Sequence, residues 1–160
     1  MLFSMPKNEV KELLEGYKEI RGRTIKFLES VPKEKWVWKP HILLGSFGMQ
    51  VRHMSTSEQS YIEGIKTGKI DFSQKKFDKE IEINKGKAIN RLKELDLELS
   101  KLIDSTKDFN KKITFVDGVS GTSKEDLATL LNYLIEHEFY HQGIFTCYGR
   151  LANMGKFLFM

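Results

Sequence analysis

The chain has 160 residues, 40% hydrophobic and 30% charged, an ordinary globular composition long enough to bury a core without disulfides or a metal. A formal net charge of +4, from 26 basic and 22 acidic residues, is too mild and too mixed for a nucleic-acid-binding surface. One cysteine, Cys147, excludes an internal disulfide framework and agrees with a reducing cytoplasm.

Residues 1–160 read as a single domain. The opening MLFSMPKNEV turns polar too soon for a signal peptide. No apolar run reaches the roughly 18 residues of a membrane span. The expectation is a soluble cytoplasmic protein.

Ser4 followed by Pro6 marks a helix start, with proline in the first turn. Val10, Leu13, Leu14, Tyr17, Ile20, Thr24, Phe27 and Leu28 then recur at helical spacing until Pro32 stops the run. The segment Pro32 to Gly45 is an aromatic connector with room for one short helical turn. Trp36 and Trp38 in it are expected to cap a core, with the mouth of a pocket as the alternative.

Ser46 caps a second helix that runs to about Thr67. Its apolar stripe is Phe47, Val51, Met54, Tyr61, Ile62 and Ile65. His53 sits at the edge of that stripe, in a row of small and polar residues (Ser46, Gln50, Ser57, Ser60, Gly64). Such a row either faces water or leaves space for a site.

Residues 68–82 are polar and carry no clear period. A third helix begins near Asn84, with Ala88, Leu92, Leu95, Leu99, Leu102 and Ile103 on one face, and ends near Asp104 or Ser105. Lysines in this middle region alternate with Glu80, Glu82, Glu94 and Glu98, as on a solvated face with opposite-sign neighbours. From Lys111 to Gly121, alternating side chains around Asp117-Gly118 read as a small β-hairpin or an irregular loop. Thr122 or Ser123, followed by Glu125 and Asp126, is expected to cap a last helix reaching about Asn153, with Gly155 to end it.

Four amphipathic helices and almost no strand indicate an all-α four-helix bundle with a small β-hairpin before the last helix. The first interhelix gap and the gap carrying the hairpin exceed what a tight bundle needs, so one connection is expected to cross over.

The last helix carries the chemistry. One face reads Leu127, Leu130, Leu134, His137, His141, Ile144, Tyr148, Leu151, so two imidazoles interrupt an apolar seam. Burying a polar group without a partner costs roughly 2–7 kcal/mol. An i,i+4 histidine pair joined by His53 from a facing helix supplies three nitrogen ligands and leaves a metal an open position. A core histidine held by hydrogen bonds is the alternative. Imidazole suits zinc, nickel, copper and iron alike. His41 reads as a surface residue of the aromatic loop. Glu58, Glu136 and Glu138 are candidates to orient the imidazoles, with a solvated role expected for Glu136 and Glu138. Tyr61 and Tyr148 read as core aromatics able to line a pocket.

The elements Ser46-Phe47-Gly48-Met49-Gln50-Val51-Arg52-His53, Trp38-Lys39-Pro40, Gly118 or Gly121, Ser123, and His137, His141 and Gly143 fall in one order. In that order the chain resembles the DinB/YfiT-like superfamily of four-helix bundles. It departs at Gln142, where arginine is common, and at Ile144, where glutamine is common. The resemblance implies a divalent metal, zinc or nickel, on His53, His137 and His141. It also implies a small-molecule substrate, a low-molecular-weight thiol as partner, and homodimerisation through helix faces. The function expected is a metal-dependent thiol S-transferase; a metal-dependent hydrolase and a non-catalytic metal- or ligand-binding stress-response module are the alternatives.

Overall fold

The computed structural model describes residues 7–74, 77–117 and 121–155. The expected helix start at Ser4 and Pro6, and Gly118 at the hairpin turn, lie outside the described residues. Five α-helices are present among the described residues: α1 Lys7–Ser30, α2 Phe47–Thr67, α3 Lys79–Ile83, α4 Lys85–Ser105 and α5 Leu127–Leu151. Three short strands accompany them: β1 Lys69–Asp71, β2 Ile113–Asp117 and β3 Gly121–Glu125. No described helix is long and apolar enough to cross a membrane.

The four long helices form the bundle, with α1 against α4 and α5, and α2 against the same two. Its interior is two apolar clusters. The first joins Val10, Leu14 and Tyr17 to Ile62, Ile65, Leu99, Ile103, Leu127 and Leu131. The second joins Phe27 and Leu28 to Phe47, Val51, Ala88, Leu92, Phe145 and Tyr148. Each cluster thus combines the first half of α1 and α5 with the second half of α2 and α4, or the reverse. So α1 and α5 run one way, α2 and α4 the other.

Because α2 and α4 are parallel, the chain must return the length of the bundle between them. That crossover is residues 68–84, not either of the two gaps expected to hold it. Local sequence hides it, because its three-residue strand β1 gains its partners only by parallel pairing with the distant β2. The β2–β3 hairpin forms as expected and pairs antiparallel.

Helix starts follow side-chain caps. Ser46 accepts from the Met49 amide at 3.2 Å, and Asn84 accepts from Lys87 at 3.0 Å. The last helix is capped by Asp126, which accepts from the Thr129 amide at 2.9 Å. Thr122 and Ser123, expected in that role, are instead in β3, whose pairing with β2 continues to Glu125.

Trp36 caps the second cluster and is 1% exposed. Its indole Nε1 donates to the Ile81 carbonyl at 3.3 Å, and its own carbonyl accepts from the Gly48 amide at 3.1 Å. The connector, α2 and α3 therefore meet at Gly48. A Cβ there would overlap the Glu82 carbonyl and lie 2.7 Å from Trp36 Nε1. Gly48→Ala is expected to destabilise by about 1–3 kcal/mol of overpacking, despite alanine's helix preference of about 1 kcal/mol. Urea unfolding checks this; an unchanged midpoint would show that α3 gives way freely.

Candidate metal centre

His53 projects from α2 and His137 and His141 from successive turns of α5. The His137 Nε2 lies 3.1 Å from His53 Nε2 and 3.1 Å from His141 Nε2. The three ligand atoms all fall within 4.8 Å of one another, and together they could hold a metal ion. With bonds of about 2.0–2.1 Å to a common ion, nitrogens at the tetrahedral angle stand about 3.3 Å apart, and at right angles about 2.9 Å. Both distances from His137 lie between these limits.

A hydrogen-bonded explanation accounts for the trio less well. His137 Nε2 faces two other Nε2 atoms, and one proton on it cannot make a straight bond to both. A cation accepts all three lone pairs at once. Burial is graded across the set: His53 is exposed, His137 half-buried and His141 buried, so one side opens outward. Burial first, then the neighbouring His137, His53 and Arg21, pushes the His141 pKa down to about 3. The ring is neutral at physiological pH, and its lone pair is available to a metal. Its Nδ1 has no hydrogen-bond partner among the described residues.

His137 also lines a cavity of about 520 Å³ together with Tyr61, Phe115, Ser123, Tyr133, Glu136 and Tyr140. Tyr61 therefore is a pocket residue, whereas Tyr148 packs in the second apolar cluster. His41 stays in its loop, exposed, with Nδ1 accepting from the Leu43 amide at 3.2 Å. Cys147 is exposed.

Beneath the histidines lies a charged layer in which Glu58 and Glu138, read as candidates to orient the imidazoles, meet Arg21, which the sequence reading missed. Arg21, 2% exposed, donates through Nε to Glu138 at 3.0 Å and through Nη1 to Glu58 at 2.9 Å. It also reaches Asp96 at 3.3 Å and the Tyr17 hydroxyl. Glu58 and Glu138 are each 1% exposed, so Glu138 is not solvated as expected. Gln142 is occupied in the same layer, donating to the Ile20 carbonyl and the Thr24 hydroxyl at 3.0 Å each. Gln142 is thereby packed against α1.

One guanidinium among three carboxylates would leave excess negative charge in the interior. Burial chiefly pushes Asp96 up to about 7, against the pull of Arg21 and with Glu58 and Glu138 adding to the rise. An unfolded aspartate titrates near 3.9. The resulting stability is full below about pH 4 and is lost as pH rises through about 7, at up to about 1.4 kcal/mol per pH unit. Asp96→Asn is expected to flatten the pH dependence of urea unfolding between pH 5 and pH 7.5, measured beside the wild type. Parallel pH profiles would show Asp96 ionised throughout.

The model of the DinB family matches residues 5–154. Among solved structures, a DinB-like protein from Bacillus subtilis is 21% identical, with 91% of this chain and 93% of that one covered and a TM-score of 0.67. At that identity the likeness concerns the fold. No curated protein matches the sequence.

Proposed function

The chain belongs to the DinB family, and on that footing we propose that it is a metal-dependent thiol S-transferase with His53, His137 and His141 as ligands of zinc or nickel. The observation that carries the reading is the convergence of three Nε2 atoms, from two helices, beside a cavity that shares His137. A divalent ion held there by three neutral imidazoles would supply Lewis acidity that favours thiolate over thiol. The chain's own part is positional. Buried His141 anchors one ligand in the bundle, His53 adds a ligand from the exposed side, and His137 joins the ligand set to the cavity. In the proposed reaction the thiol sulfur forms a bond to an electrophilic carbon, the leaving group departs with its electron pair, and the thiol proton passes to solvent. A reducing cytoplasm would keep such thiols available.

Elemental analysis of protein purified without a histidine tag tests the ligand set. The metal-loaded and metal-stripped forms are then incubated with a thiol and a chlorinated dinitrobenzene. The loaded form is expected to release chloride faster than the stripped form. Equal rates would remove the transferase reading. Stoichiometric metal without turnover would support the binding module, and thiol-independent cleavage of an activated ester would support the hydrolase.

A further inference from the structure

The cavity beside His137 has aromatic walls from three elements: Tyr61 on α2, Phe115 on β2, and Tyr133 and Tyr140 on α5. The Phe115 ring is 5.5 Å from Tyr133 and 6.0 Å from Tyr61. Ring faces carry negative charge density and attract cations. The one charged side chain lining the cavity is Glu136, and no lysine or arginine lines it among the described residues.

Strand alternation adds to this polarity. Ser123 stands opposite Phe115 in the sheet, so Ser123 and Glu125 share the side that faces the cavity, while Lys124 falls on the other. The Tyr133 hydroxyl is pushed up by partial burial first, then by the charges of Glu125 and Glu136. Two carboxylates thus act on one wall. An anionic ligand would meet the like charge of Glu136 there, and an ammonium group its opposite beside aromatic rings.

We propose that this cavity selects a ligand bearing a protonated amine, seated among Tyr61, Phe115 and Tyr133 against Glu136. The inference deepens the metal-and-thiol reading above and rests on it for the ligand's other end. A dication at the histidines repels an ammonium, so the amine occupies the aromatic end and the metal-binding donor the His137 end. A small aminothiol carries both groups and fits within a cavity of about 520 Å³.

Two arms test it. In the first, metal-free protein with isotope-labelled tyrosine rings is titrated with benzylamine and with benzoate and followed by NMR. Benzylamine is expected to bind about tenfold more tightly than benzoate and to shift the Tyr133 and Tyr61 rings, and Glu136→Gln is expected to erase most of that preference. In the second, cobalt-loaded protein is titrated with cysteamine, 2-mercaptoethanol and 3-mercaptopropionate, read by the sulfur-to-cobalt absorption band. Comparing wild type with Glu136→Gln cancels the thiols' own acidities, and the variant is expected to lose affinity for cysteamine alone. Equal binding of benzylamine and benzoate, or an amine preference untouched by Glu136→Gln, overturns the proposal. Benzylamine binding with no cobalt band from any thiol would uphold the amine site and overturn the thiol reading instead.

Discussion

Replacing Arg21 by methionine is expected to lower the free energy of unfolding by about 3–5 kcal/mol. The side chain is 2% exposed and Glu58 and Glu138 are each 1% exposed, so water cannot take over when the guanidinium is removed. Two carboxylates would be left in the interior without their cation. They would respond by binding protons, so the loss is expected to be smaller at pH 5 than at pH 8. Urea unfolding at both pH values reads this directly. A companion variant separates breaking the buried pairs from removing them: Arg21→Met with Glu58→Leu and Glu138→Leu replaces the three fully buried charges by apolar groups of similar size and leaves the part-exposed Asp96. Such replacements are often neutral or stabilising, so the triple variant is expected to recover most of the loss. A cost under about 1 kcal/mol for Arg21→Met alone would mean that water reaches this layer.

The same layer shows why some features were legible in the sequence and others were not. Long helices announce themselves through periodicity, and Ser46 through its position just ahead of an apolar stripe. His137 and His141 stood out because they interrupt such a stripe, and their convergence with His53 follows from the bundle. Arg21 gave an equivalent signal, lying between Tyr17 and Thr24 at i+4 and i+3 on the core face of α1. Glu58 and Glu138 lie on the core faces of α2 and α5 in the same way. Read singly, each is a charge at the edge of a helix; read together, they are one cation and its carboxylate partners. The crossover 68–84 had no such signal, because β1 is defined by its pairing with residues more than forty positions later. The cap at Asp126 was misplaced for a related reason. Thr122 and Ser123 have suitable side chains for a cap, but the sheet claims their backbone first.

His137→Ala is expected to weaken metal binding by more than about 100-fold, since loss of a group merely orienting a ligand already costs roughly 10–100-fold. His137 is the ligand to remove because its Nε2 lies 3.1 Å from both partners; without it the remaining pair comes from different helices. Binding to the native state alone stabilises by about 2.7 kcal/mol when the ion is at 100 times its dissociation constant. Wild-type protein is therefore expected to gain about that much on addition of zinc, and His137→Ala less than about 0.4 kcal/mol at the same concentration. The metal-free variant should unfold near the wild-type midpoint, because His137 is only half-buried. His141→Ala would not separate the two effects, since that ring is 1% exposed and its removal leaves a cavity. His41→Ala, in the exposed loop, serves as the control and is expected to bind zinc as the wild type does. If His137→Ala gains as much stability from zinc as the wild type, the three imidazoles do not share an ion. The close approach of their nitrogens would then be a hydrogen-bonded arrangement, and the cavity beside them would have to work without a metal.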